Sequence, residues 1–109
     1  MSYKVKTIPK FDKELKRLAK KYPSLKHEFF ELIQQLKKQP EQGTPIGNNC
    51  FKIRLAVASK GKGKSGCASV ITYLQITDTT VFLLSIYDKS EQENITDKDL
   101  FELLKYIPK

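Results

Sequence analysis

The 109-residue sequence is poor in metal-binding and imidazole side chains: it has one histidine, His27, and two cysteines, Cys50 and Cys67. The cysteines lack CxxC spacing, and one histidine cannot complete an ordinary zinc site with them, so no metal and no cofactor is expected and both thiols are read as reduced and non-catalytic. No run approaches the roughly 20 apolar residues that a membrane-spanning helix needs, and the N-terminus has no signal-peptide character. The expectation is a cytoplasmic protein without a membrane partner. Acidic residues are also scarce, with 12 Asp and Glu against 20 Lys and Arg, a formal charge of +8 and a pI near 9.5. That imbalance favours polyanionic partners through phosphate neutralisation and steering, nucleic acid first, although an anionic membrane or an acidic protein satisfies the same arithmetic. With 39% hydrophobic residues the chain can fill one modest core, so residues 1–109 are expected to form a single domain.

Residues 3–8 (YKVKTI) alternate as a half-buried strand does, and Pro9 closes it. Phe11, Leu15, Leu18 and Ala19 recur at helical spacing with basic residues between them, predicting a helix that ends at Tyr22-Pro23. Ser24 is a plausible N-cap for a second helix whose buried face is Leu25, Phe29, Leu32, Ile33 and Leu36, before Pro40 and Gly43 break the pattern. Residues 41–49 have the Gly, Pro and Asn content of a loop. Three strand-like runs follow, at 50–57, 68–77 and 80–87. In the first, Phe51, Ile53, Leu55 and Val57 share one face and Lys52 and Arg54 the other. Thr96 caps a last helix carrying Leu100, Leu103 and Leu104, with Asp97 and Asp99 in its first turn. The order β-α-α-β-β-β-α predicts an α+β fold: a small, mainly antiparallel sheet with an N-terminal helical hairpin and a C-terminal helix.

The stretch ASKGKGKSG, residues 58–66, contains a literal GxGxxG and nearly a Walker A loop. Both motifs require a helix directly after the glycines, whose N-terminal amides hold the phosphates, and here a strand follows. A nucleotide-binding fold is therefore not expected. What remains is a hairpin tip in which Lys60, Lys62 and Lys64 alternate with small residues. It suits either a solvated turn or a cationic clasp on a phosphate backbone. Arg54, Lys52 and the segment Tyr87-Asp88-Lys89-Ser90 could share one concavity with it if the strand ends are neighbours.

Three segments, YKVKTIPKFDKELKRLAKKYPSL, QGTPIGNNCFKIRLAVASKGKGKSG and VFLLSIYDKSEQENITDKDL, together resemble the RelE/ParE superfamily of toxin–antitoxin toxins, most closely its RelE/HigB-like branch. The resemblance implies a ribosome-dependent, metal-independent endoribonuclease that cuts mRNA in the decoding site, is held inactive by a cognate antitoxin and forms a toxin–antitoxin hetero-oligomer. Attack by a 2′-hydroxyl needs proton removal, stabilisation of phosphate charge and proton donation to the leaving oxygen. His27 lies in the second predicted helix, away from the basic strand ends, and is read as structural or solvent-exposed. Carried over from the family, Arg54 would stabilise the phosphate, Lys89 would add positive charge, and Tyr87 would stack on a base or take part in proton transfer. Lys52, Lys60, Lys62, Lys64 and Ser69 would contact RNA. Asp88 could orient Lys89 or act as a base, or serve only as a turn or cap residue.

One position departs from the family's pattern. Where the branch continues as Gly-Gly-Ala-Arg-Val-Ile, this chain reads Gly66-Cys67-Ala68-Ser69-Val70-Ile71, with Ser69 in place of the arginine. Serine donates one neutral hydrogen bond and balances no phosphorane-like charge, and loss of one preorganised donor costs roughly 100- to 1000-fold in rate. Three functions follow: an mRNA endonuclease relying on Arg54 and the lysines; an attenuated RNA-, ribosome- or antitoxin-binding protein; or a ParE-like gyrase inhibitor, against which the lysine-rich hairpin argues.

Overall fold

The computed structural model describes residues 3–58, 67–75, 77, 79–88 and 95–107. Strand β1 (Lys4–Thr7) leads into α1 (Pro9–Lys21), whose first residue is the proline that ends the strand pattern. Proline is suited to that position because its missing N–H would have no intrahelical acceptor there. Helix α2 spans Leu25–Lys38, and the buried Leu25, Leu32 and Leu36 face the core with Phe11 and Leu18 of α1. Phe11 and Phe29 join the two helices, with ring centroids 5.5 Å apart. Ser24 occupies the predicted cap position but does not cap. Its backbone is already helical (φ −73°, ψ −13°), and its hydroxyl donates to Glu28 Oε1 at 3.0 Å. A capping serine needs extended backbone to lay its oxygen over the first amides.

Next come β2 (Thr44–Gly47), β3 (Cys50–Ala56), β4 (Cys67–Gln75), β5 (Thr80–Asp88) and α3 (Asp97–Leu104). The predicted α+β order is borne out, with β2 as an addition inside the expected loop. Asn48 and Asn49 both have positive φ (54° and 60°) between the paired Gly47 and Cys50, which makes a two-residue type I′ hairpin. Gly43, at φ +88°, enters β2 so close to β3 that a Cβ would lie 2.3 Å from the Lys52 carbonyl oxygen. Thr96 behaves as predicted, its Oγ1 accepting from the Asp99 amide at 3.1 Å.

The sheet order is β1-β5-β4-β3-β2, with β1 parallel to β5 and every other neighbour antiparallel. The register puts Leu55, Ala68 and Asp88 on one face, and Cys50 and Tyr73 on the other. Helix α2 covers the first face: Glu28 Oε2 accepts from the Ala58 amide at 2.7 Å, and Leu32 lies beside Leu55. Helix α3 covers the second, with Phe101 and Leu104 beside Tyr73. Strand β5, flanked by β1 and β4, is consequently buried along its whole length. Among the described residues, no helix is long and apolar enough to cross a membrane.

Cys50 and Cys67 form no disulfide and lie at opposite ends of the β3–β4 ladder, since Cys50 pairs with Tyr73 and Cys67 with Ala56. Six residues of strand, about 20 Å, separate them, which rules out a bond between them. Cys50 is fully buried, and its thiol donates weakly to the Asn48 carbonyl at 3.5 Å. Burial lifts its pKa from 9.0 to about 11. Ellman's reagent at pH 8 should therefore modify the half-buried Cys67 first and reach Cys50 only on unfolding. The folded state holds the Cys50 proton more tightly than the unfolded chain, so stability should fall between pH 9 and 11. Cys50→Ala should reduce that alkaline slope in thermal melts.

Candidate functional site

Three of the candidate residues fall into one line because of strand register. Arg54 of β3 is directly opposite Ser69 of β4, and Ser69 is directly opposite Tyr87 of β5. Directly paired residues in antiparallel strands project to the same side, so the three side chains form a row with Arg54 and Tyr87 about 10 Å apart at the backbone. Arg54 is exposed, Ser69 is nearly buried at 8%, and Tyr87 is buried at 2%. The row thus descends from a solvated cation to a sheltered phenol. Lys52, on the same face one alternate position along β3, is half-buried opposite Ile71.

The Tyr87 hydroxyl is buried without a hydrogen-bond partner among the described residues. Burial pushes its pKa above the ordinary 10.0; the nearby Ser69 side chain and Ile95 backbone partly oppose that shift, although neither forms a well-shaped hydrogen bond with the phenol oxygen. At neutral pH it is a protonated donor. A buried, unsatisfied hydroxyl costs about 1–3 kcal/mol.

Asp88, immediately after Tyr87, belongs to the opposite face. It is fully buried and accepts from the Tyr22 hydroxyl at 2.5 Å, tying the end of α1 to the end of β5. Glu14 of α1 makes a similar tie, its Oε1 accepting from Ser85 Oγ at 3.0 Å beside a bulge in the β4–β5 ladder. β1 pairs with β5 only as far as Leu83, so α1 side chains serve the remainder of the strand. Asp88 is therefore a tether between elements. These two ties link residues 66 and 71 positions apart, which no local pattern reveals.

Lys60, Lys62, Lys64 and Lys89 lie outside the described residues. His27 is exposed on α2, its Nε2 3.1 Å from Glu31 Oε1, and takes no part in the row. A groove lined by Asn49, Tyr73, Gln75, Phe101, Leu104 and Ile107 is at the other end of the same sheet face. Tyr73 is four strand residues, about 13 Å, beyond Ser69. The groove's position and largely apolar lining separate it from the cationic row.

Residues 8–108 match the family described as the RelE toxin of the RelE/RelB toxin–antitoxin system. The chain belongs to the RelE toxin family. Among solved structures, this RelE-family chain is similar to a free-state double arginine-to-alanine mutant of the E. coli toxin RelE, with a TM-score of 0.66 and 18% identity over 99% of this chain and 100% of the other. It is also similar to a chain of the Mycobacterium tuberculosis toxin–antitoxin complex RelBE2 (TM-score 0.61, 18% identity, 81% and 99% covered). A chain of the intact E. coli RelBE complex matches with a TM-score of 0.60 and 14% identity, over 80% and 96%. At these identities the likeness shows a RelE-like fold, agreeing with the family match obtained from the sequence.

Proposed function

We propose that this RelE-family toxin is a ribosome-dependent, cytoplasmic endoribonuclease that cuts translated mRNA, works as a single domain, and is neutralised in a hetero-oligomer with a cognate antitoxin. The observation carrying this reading is the row Arg54–Ser69–Tyr87, in which an exposed guanidinium and a buried phenol, unsatisfied among the described residues, share one sheet face. The presence of antitoxin in two of the similar structures supports the partner. In the reaction the 2′-oxygen of the substrate attacks the adjacent phosphorus, the 2′-hydroxyl passes its proton to solvent water, and the bond from phosphorus to the 5′-oxygen breaks. A 2′,3′-cyclic phosphate and a 5′-hydroxyl result. Arg54 holds the charge that grows on the non-bridging oxygens, a bidentate role for which guanidinium is shaped. Tyr87, kept protonated by burial, donates to the departing 5′-oxygen. Lys52, Lys60, Lys62, Lys64 and Lys89 hold the RNA backbone, and Ser69 contributes a neutral hydrogen bond between the two reacting groups.

Ser69 itself favours a second reading. The centre of the row is neutral and nearly buried, where the family pattern has arginine, which suits a toxin retaining its binding surfaces but attenuated in catalysis. Primer extension on mRNA in a translating cell-free extract, with naked RNA as control, separates the two. Cuts confined to translated message support the nuclease. No cuts by the native chain, followed by strong cutting by Ser69→Arg, would establish the attenuated form.

A further inference from the structure

Strand β5 outruns its parallel neighbour. β1 pairs with it from Thr80 to Leu83, and residues 84–88 continue with β4 as their strand partner among the described residues. The change coincides with the bulge: Thr72 pairs with Leu83 but Ile71 with Ser85, so Leu84 is passed over and every later pair is shifted by one residue. Continued without the bulge, the Thr72–Leu83 register would put Ile86 opposite Ser69 and turn Tyr87 to the helix-covered face. The bulge is therefore what sets Tyr87 beside Ser69, and re-aiming one side chain of a strand is a recurrent use of bulges.

Two side-chain bonds from the α1 segment fall on the shifted residues. Glu14 Oε1 accepts from Ser85 Oγ at 3.0 Å, and the Tyr22 hydroxyl, at the C-cap of α1, donates to Asp88 at 2.5 Å. They bracket Tyr87, one two residues before it and the other directly after it. The spacings agree: from Glu14 to Tyr22 a helix rises about 12 Å, and from Ser85 to Asp88 a strand spans about 10 Å. Asp88 is fully buried on the helix-covered face; in the regular register it would lie opposite Cys67, on the row's face and away from Tyr22. The Tyr22 bond can thus form only in the bulged register. We propose that Glu14 and Tyr22 are positioning residues for Tyr87, whose bonds to Ser85 and Asp88 hold the bulged register of β5 and so keep the phenol in the Arg54 row. The consequence for catalysis rests on the nuclease reading; the hold on the register does not.

The test combines NMR of the full-length protein with single-turnover cleavage in the translating extract. Backbone cross-strand NOEs between Ser69 and Tyr87 mark the bulged register, and NOEs between Ser69 and Ile86 the regular one. Glu14→Ala/Tyr22→Phe should weaken the first set, and amide protection over residues 84–88 should fall at least tenfold while that of β3 and α2 is kept. The same double variant should cut translated mRNA at least tenfold more slowly than the native chain, but less than twofold more slowly when both carry Tyr87→Phe. Glu14→Gln, which keeps an acceptor oxygen for Ser85, should restore most of what Glu14→Ala loses. Ser85→Ala removes the Glu14 bond from the other side, so it gives the same readouts if the double variant does not fold. Ser69–Tyr87 NOEs and protection at native strength after the bonds are cut would overturn the proposal, and so would an equal loss of cleavage in the two Tyr87 backgrounds, the mark of a merely structural role. If the native chain cuts nothing, the nuclease reading fails in the extract, and the NMR comparison still decides whether α1 holds the register.

Discussion

Arg54→Ala should lower cleavage of translated mRNA by about 100- to 1000-fold while leaving thermal stability within about 0.5 kcal/mol of the native chain. The sequence contains two arginines, and Arg17 belongs to the outer face of α1. Arg54 is therefore the one guanidinium available to the sheet, and its pairing with Ser69 sets it one strand from the neutral centre of the row. Its exposure means that truncation removes no core contact. Arg54→Lys should recover only part of the activity, because an ammonium keeps the charge but loses the planar fork that grips two phosphate oxygens at once. Single-turnover primer extension with matched thermal melts checks the prediction. Activity within twofold of native for Arg54→Ala would remove Arg54 from the catalytic step.

The fold was legible where side-chain period and burial agree. Phe51, Ile53, Leu55 and Val57 alternate cleanly because β3 has one face under α2, while Arg54 stays exposed on the other. β5 reads instead as a continuous apolar run, since helices cover both of its faces. β2 was hidden by its composition: Pro45 and Gly47 are loop residues in isolation, yet an edge strand tolerates a proline whose missing N–H faces away from its neighbour. The signal that could have exposed β2 was Gly47-Asn48-Asn49, a type I′ turn, placed directly before the alternating run.

The residues of the candidate row can be named from the sequence, but their arrangement cannot. Arg54, Ser69 and Tyr87 are separated by 15 and 18 positions, and only the pairing of Cys50 with Tyr73 and of Ala68 with Asp88 brings them into line. A slip of one residue in either ladder would send Ser69 to the opposite face from Arg54 or Tyr87. The same register explains why Asp88, a candidate base by adjacency, serves as an anchor. Its neighbour Tyr87 faces the row, so Asp88 faces away toward Tyr22.

Tyr87→Phe should separate the catalytic role of the phenol from any structural one. If the hydroxyl donates to the leaving oxygen, its removal lowers cleavage by about 100- to 10,000-fold, the range for loss of a positioned acid. Stability should move the other way. The hydroxyl is buried and unsatisfied among the described residues, so deleting it relieves a desolvation cost of about 1–3 kcal/mol while the ring keeps its packing. A chain that melts at the same or a higher temperature and cuts poorly is the expected pair of results. The pH dependence carries the same sign: burial raises the Tyr87 pKa above 10.0, so the native chain keeps this hydroxyl protonated through neutral pH and loses the proton only in strong alkali. A Tyr87→Phe protein that is destabilised and still cuts at the native rate would instead make the hydroxyl a structural group. The proton for the 5′-oxygen would then have to come from outside the row.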